Sequence, residues 1–367
     1  MMYYLHLLKD EVGLLNVFQY ITLRLRRACL TAWVVAVLCG PRVIRRLISM
    51  KVGQPIRTAE EVHKLAELHG GKAGTPTMGG VLILGAVMLS TFLWARPDNP
   101  FVWVAAFVFG GLGLLGFADD YKKVKQKKSD GISARAKLAG QFGIALTVGI
   151  FLYFHPGTGG FIRQLWVPFL KEPLINDMGY FAIALFPLVI VGCSNAVNLT
   201  DGLDGLATGC TITVAITYAL FSYLCGHAIL SEKYLYLPSS QYAGELAIVC
   251  TALVGACMGF LWFNAHPAEV FMGDTGSLAI GGLLGTVALC CKQELLLVLV
   301  GGVFVMEAGS VILQVGSFKL RKKRIFKMSP IHHHFELMGW HESKVINRFW
   351  ILSIIFALMG LATLKLR

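Results

Sequence analysis

Three oxygen-bearing side chains recur at a spacing of three: Asn198, Asp201 and Asp204, within Asn195-Ala-Val-Asn-Leu-Thr-Asp-Gly-Leu-Asp-Gly-Leu206. On a helical turn that spacing stacks them on one face, where they could share a divalent cation. Asparagine and aspartate also cap helices, and capping would account for one or two of the three. Gly202 and Gly205 beside the acids let another backbone, or a bulky anion, come close.

Four other polar stretches carry related chemistry. Lys72-Ala-Gly-Thr-Pro-Thr-Met-Gly-Gly80 combines glycines, hydroxyls (Thr77 among them) and one lysine, which suits a loop around a phosphate and equally a rigid turn. Ahead of it, Thr58-Ala-Glu-Glu61 is a capping box opening a short helix that ends at Gly70-Gly71. Phe117-Ala-Asp-Asp-Tyr-Lys-Lys123 sets Asp119 beside Asp120. Two adjacent carboxylates are costly to desolvate together, so they could bind a cation, or one could act as a base. Of the lysines that follow, Lys125, Lys127 and Lys128 fit a run facing anionic headgroups, and Lys123 and Lys137 are expected to turn inward. In Phe263-Asn-Ala-His-Pro-Ala-Glu-Val-Phe-Met-Gly-Asp-Thr-Gly-Ser277, Asp274 opens an apolar run, where a helix N-terminus favours an acid or a phosphate; it could also be a plain N-cap. Phe271 is either core or a stacking surface for a planar base, and His266 before Pro267 reads as structural. Finally, Ser329-Pro-Ile-His-His-His-Phe-Glu336 does not read as a zinc site, because adjacent residues rarely aim at one centre and no cysteine accompanies them. Phosphate or substrate contacts suit these histidines better, with at least one of them structural.

What must position these groups is a membrane. The chain of 367 residues is 56% hydrophobic and 15% charged, with a mean hydropathy of +0.65, whereas soluble domains carry nearer ~25% charge. A bilayer crossing takes about 20 apolar residues. Ten runs qualify: Ala28–Val43, Met78–Ala95, Phe101–Ala118, Leu138–Ile162, Met178–Thr200, Gly205–Ser231, Leu246–Phe263, Thr275–Cys291, Leu295–Phe318 and Phe349–Leu364. The expected fold is all-α and polytopic, a single integral-membrane domain over residues 1–367 with a site cleft on one side. No cleavable signal peptide is evident. The nine cysteines lie mostly within apolar runs without metal-ligand spacing and are expected to be reduced packing residues. Glu307 is the sole acid in its apolar run, which makes it a functional candidate or an internally paired group.

Alternate loops share a side. Residues 44–77 with Arg42, then 119–137, 193–207, 264–275 and 319–348, hold 22 of the 33 lysines and arginines. The positive-inside rule makes that side cytoplasmic, with Arg24, Arg26 and Arg27 blurring the bias. Every polar motif falls in these loops.

These motifs, in this order from about residue 40 to the C-terminus, resemble the polyprenyl-phosphate N-acetylhexosamine-1-phosphate transferase superfamily. The His-His-His motif is similar to that of its phospho-N-acetylmuramoyl-pentapeptide transferase branch. The resemblance implies about ten transmembrane helices, a cytoplasmic cleft, a homodimer and the bacterial inner membrane. It implies transfer of phospho-MurNAc-pentapeptide from UDP-MurNAc-pentapeptide to undecaprenyl phosphate, giving lipid I and UMP, with Mg²⁺ required. Membrane lipid is then a partner and nucleic acid is not. By the same resemblance Asp274 binds Mg²⁺. Asp119, Asp120, Asp201 and His332 belong to the catalytic constellation. Asn198, Asp204, Asn264 and Phe271 hold the uridine end or its surroundings. Lys72, Thr77, Lys123 and Lys137 contact phosphates or the polar sugar portion. His333 contacts substrate, and Gln314 is a weaker candidate on the nucleotide side.

The chemistry is coherent with the residues. Attack of one phosphate on a diphosphate gathers negative charge that a divalent ion and lysines must neutralise. Direct attack, with Asp119 as base, is preferred to a covalent aspartyl-phosphate intermediate. Two rival functions differ in substrate or class. A sister enzyme would transfer GlcNAc-1-phosphate to the same lipid. A secondary transporter would place its polar site near the midplane, often between repeated halves; here the acids gather at span ends and no repeat is found.

Overall fold

The computed structural model describes residues 1–50, 74–126 and 131–366. The expected helix from Thr58 to Gly70, together with Lys72, Lys127 and Lys128, lies outside the described residues. The long helices are α1 (Ile21–Ser49), α2 (Gly80–Trp94), α3 (Pro100–Gln126), α4 (Ala134–Phe154), α5 (Phe181–Thr200), α6 (Leu206–Cys225), α7 (Ala243–Asn264) and α8 (Gly273–Cys290). They continue with the short α9 (Glu294–Val300), then α10 (Gly302–Arg321), the short α11 (Ile331–Glu336) and α12 (Glu342–Ala362). Among the described residues there is no strand, only an isolated antiparallel bridge between Leu165 and Ile175.

Nine of these helices are long and apolar enough to cross a bilayer. The tenth expected span, Met78–Ala95, is the 15-residue α2, about 22 Å long at 1.5 Å per residue and so short of a ~30 Å hydrocarbon core. Other boundaries also differ from expectation. The first span is not the short Ala28–Val43 but a helix of 29 residues that begins at Ile21 and takes in the arginines. The run Leu295–Phe318 is split at Gly301 into α9 and α10, because an apolar run records burial but not the point where a helix stops.

Burial orders the bundle. The most apolar 18-residue window of α8 is 89% buried, against 22% for α10. Helix α8 is therefore the central post, packed against α3 and α5, with α7 beside α1 and α6. Close packing around α8 uses small residues, as membrane helices do where dispersion replaces the hydrophobic drive. At Gly116, for example, a side-chain carbon would strike the backbone carbonyl of Asp274, so α3 can lie directly on the first turn of α8. The outer faces of α1, α10 and α12 carry exposed residues such as Leu38, Ile312 and Leu358.

The two ends of the bundle are chemically distinct. At the end away from the polar motifs, Arg24 and Glu245 form a buried bidentate pair, with both N–O distances at 2.7 Å. Arg24 also donates to the Trp94 carbonyl at 3.2 Å, and Glu245 accepts from the Arg96 amide at 2.9 Å. One of the three arginines that blurred the loop-charge bias thus has a structural partner. It ties the starts of α1 and α7 to the end of α2. Removing one member of such a pair strands the other charge. Glu245→Ala is expected to destabilise the detergent-solubilised protein by about 3–5 kcal/mol, measured as a lowered thermal midpoint; an unchanged midpoint would contradict this role.

Candidate active site

The site forms where the ends of α3, α4, α5 and α8 meet. Asp119 and Asp120 are adjacent on the last turns of α3, and both are buried. They point to different tasks. Asp120 takes hold of the amino end of α8: its Oδ1 accepts from the Asp274 amide at 3.2 Å, and its Oδ2 accepts from the Thr275 amide at 2.9 Å and the Thr275 hydroxyl at 2.7 Å. The first amides of a helix have no intrahelical acceptor, and here a neighbouring helix supplies one. Asp119 accepts from the Ile132 amide at 2.6 Å, and its other oxygen lies 2.6 Å from Lys123 Nζ.

Asp274, the second residue of α8, collects donors from three helices. Lys123 of α3 donates to its Oδ2 at 3.0 Å, Lys137 of α4 donates to the same oxygen at 2.7 Å, and Asn198 of α5 donates to its Oδ1 at 2.7 Å. The Asn198 amide nitrogen also reaches Ser277 Oγ at 2.8 Å. Lys123 and Lys137 turn inward as expected, whereas Lys122 and Lys125 remain exposed.

One oxygen from each of Asp119, Asp120 and Asp274 falls within 4.8 Å of the others. The set is all carboxylate, a hard-donor set that suits Mg²⁺ and not zinc. The two ammonium groups now lodged against it show that the pocket's field favours positive charge. A second group, Asp204 with His266 and Glu342, has the spacing of metal ligands but is closed by its own bonds. Asp204 Oδ2 is 3.0 Å from His266 Nδ1 and accepts from the Ala268 amide at 3.2 Å, and Glu342 Oε1 accepts from the Asp204 amide at 3.0 Å.

The Asn198, Asp201, Asp204 series does not share a helical face. Helix α5 ends at Thr200, Asp201 leaves helical geometry with ψ of 46°, and Gly205 sits at φ +73°. The glycines break the helix, so the side chains diverge: Asn198 bonds Asp274, whereas Asp204 turns to the 266–268 turn. Desolvation of the half-buried Asp201 carboxyl, with the charges of Asp274 and Asp120 nearby, holds it well above the usual carboxylate range.

The remaining candidates are placed as follows. Thr77 is buried beside Gly273, where its hydroxyl and Asp120 Oδ2 flank the glycine. The backbone of Phe271 joins this turn, its amide donating to the Pro76 carbonyl and its carbonyl accepting from Gly79, both at 2.8 Å. Asn264 is buried and donates to the Val270 carbonyl at 2.9 Å while accepting from the Thr208 hydroxyl at 2.9 Å. Gln314 binds backbone groups of Ile325 and Phe326. His332 is fully buried against Glu307, and His333 Nδ1 is 2.7 Å from Glu336. His334 accepts from the Lys327 amide at 3.1 Å, a structural use. Three contributors were absent from the candidates: Thr275, Ser277 and Glu342. The first two stand beside Asp274 in the motif itself, and that adjacency was the available signal; Glu342 carried none.

The fold and site define a polytopic membrane protein whose acids and lysines converge at helix ends. A family model for glycosyl transferase family 4 matches residues 101–292, and signature 1 of the phospho-N-acetylmuramoyl-pentapeptide-transferases matches residues 72–84. The chain is 56% identical over 367 residues to the phospho-N-acetylmuramoyl-pentapeptide-transferase of Methylacidiphilum infernorum, covering 100% of both chains. It is 54% identical over 353 residues to that of Desulfotalea psychrophila, 96% of each chain, and 53% identical over 368 residues to that of Pelobacter propionicus, 100% of each. The chain belongs to the phospho-N-acetylmuramoyl-pentapeptide-transferase family.

The raised Asp201 carboxyl gives a pH test. A carboxyl whose folded pKa exceeds its unfolded value of about 3.9 stabilises the fold least above the folded pKa. In chelator-containing buffer, Asp201→Asn is expected to melt above the wild type at pH 8, with the difference shrinking toward pH 4. A variant that melts lower at pH 8 would refute this electrostatic assignment.

Proposed function

We propose that this chain transfers phospho-MurNAc-pentapeptide from UDP-MurNAc-pentapeptide to undecaprenyl phosphate, releasing UMP and forming lipid I. Family membership supports the reaction, and one structural observation carries its placement here: three carboxylates and two lysines converge at the ends of membrane helices. A lipid acceptor keeps its phosphate at the membrane surface, so a site at helix ends is where it can meet a water-soluble nucleotide. The bacterial inner membrane and a cytoplasm-facing site belong to the same proposal, supported by the sequence's bias of 22 of its 33 lysines and arginines to the inter-span stretches that carry the polar motifs. So does the homodimer, which rests on the resemblance alone.

In the transfer, an oxygen of undecaprenyl phosphate attacks the sugar-proximal phosphorus of the nucleotide diphosphate. The bond from that phosphorus to the bridging oxygen breaks, and the oxygen leaves with UMP. A phosphate monoester with a second pKa of about 6 is largely ionised at neutral pH, so the attack needs little base assistance. Asp119 accepts the residual proton where one remains. Lys123 and Lys137 are placed to exchange Asp274 for phosphate oxygens and neutralise the charge gathering there. Asp120 fixes the start of α8, with Thr77 packed beside Gly273, so that Asp274 stays in register with α3. Asn198 and Ser277 orient Asp274 from the other side. Asp274, with Asp119 beside it, would hold Mg²⁺, which when bound supplies charge neutralisation for the departing phosphate.

Purified protein with Mg²⁺, undecaprenyl phosphate and UDP-MurNAc-pentapeptide should release UMP and yield a lipid of the mass of lipid I. Preference for UDP-GlcNAc in a parallel reaction would instead make it the sister enzyme. Asp274→Ala should lose at least ~10³-fold in turnover while still eluting as a folded, monodisperse protein. Lys125→Ala, on the exposed face of α3, should stay near wild-type turnover; a large loss would extend the site onto that face.

A further inference from the structure

Glu307 and His332 form a pair to which the transfer chemistry above assigns nothing. Glu307 lies on α10, within a membrane-spanning helix, and neither side chain has any exposed surface. Glu307 Oε2 and His332 Nδ1 are 3.0 Å apart. A carboxylate accepts and an imidazole N–H donates, so the pairing assigned here places the shared proton on Nδ1. The other ring nitrogen is then decisive. Among the described residues, His332 Nε2 is buried and has no hydrogen-bond partner. A buried N–H with nothing to donate to is rarer and costlier than a buried lone pair, so Nε2 presents its lone pair.

That lone pair has a direction. Nε2 is set against Gly202, where any side-chain carbon would collide with it. Gly202 follows Asp201, whose carboxyl lies close enough to Asp274 and Asp120 to feel their charges. The histidine therefore faces the turn that connects to the acid cluster. An acid in a membrane helix is expensive, and packing alone would be met by an apolar residue or an amide. A carboxylate differs from glutamine in accepting without donating, and that property fixes which nitrogen of the imidazole carries the proton.

We propose that Glu307 is a positioning residue that holds His332 in its Nδ1–H form, so that Nε2, enclosed against Gly202 here, accepts a hydrogen bond from a hydroxyl or N–H of the nucleotide-sugar substrate when the Gly202 turn parts to admit it. The assignment rests on the transferase activity proposed above. Glutamine in place of Glu307 can donate to Nδ1 as well as accept from it, and so releases the opposite tautomer, with its proton on Nε2.

The test combines ¹⁵N-histidine NMR of the detergent-solubilised full chain with kinetics. The His332 resonances are identified by their loss in His332→Gln. In the wild type they should show a protonated Nδ1 and an unprotonated Nε2. UMP should move the Nε2 resonance if the donor is on the nucleotide; if only UDP-MurNAc-pentapeptide moves it, the donor is on the sugar or peptide. In Glu307→Gln the fixed tautomer should be lost and kcat/KM for UMP release should fall on the order of 10²-fold, with the thermal midpoint little changed. A wild-type His332 protonated on Nε2, or on both nitrogens, would overturn the proposal, as would an Nε2 resonance that neither ligand moves. Turnover of Glu307→Gln within roughly threefold of wild type would also overturn it. Should that variant fail to fold, the wild-type spectrum alone decides. Should the wild type release no UMP, the transferase activity fails instead, and the tautomer is still read independently of turnover.

Discussion

The site depends on one contact between helices, the capture of the amino end of α8 by Asp120. Three donors of that first turn, the amides of Asp274 and Thr275 and the Thr275 hydroxyl, close on a single carboxylate from α3. Buried amides at a helix end need acceptors, and both Asp120 and Thr275 are buried, so the bond is required by burial as well as by the chemistry. Its geometric effect is to bring Asp274 within reach of Asp119 and of both lysines. The absence of a side chain at Gly116 permits the approach, and Asp120 locks it.

The rest of the bundle supports this junction from a distance. The buried Arg24–Glu245 pair fastens α1, α2 and α7 at the far end, and α8 runs from that region to the site through the most enclosed part of the protein. A central helix with almost no exposed surface has little freedom to tilt or slide. The outermost helices, such as α10, are far less enclosed, and α10 meets the site through its packing on α5 and through the Glu307–His332 contact.

Much of this was legible in the sequence. Apolar runs gave the helices, because burial in lipid tolerates few other compositions, and charge counts gave the loops on the site's side. The inward turn of Lys123 and Lys137 followed from their nearness to the spans. The exact boundaries did not follow: the stop at Gly301 and the early start at Ile21 depend on neighbours, not on hydropathy. The series Asn198, Asp201, Asp204 misled in a specific way. Its spacing fits a helix, yet its own glycines end the helix midway. Partner choice was equally hidden. Nothing in the one-dimensional pattern joins Glu307 to His332, or Arg24 to Glu245, since those pairs are 25 and 221 residues apart.

The two lysines on one oxygen of Asp274 have a thermodynamic consequence. A divalent ion taking this carboxylate, as the proposed reaction requires, would not fill a vacancy; it would exchange places with ammonium groups already there. The displaced lysines, still tethered nearby, would become free donors for phosphate. Phosphate engaging the lysines would in turn strip Asp274 of its counter-ions and raise its affinity for a cation. Linkage would make such an effect reciprocal, so that on the proposed reaction cation and nucleotide would each strengthen the other's binding through a shared pool of charge.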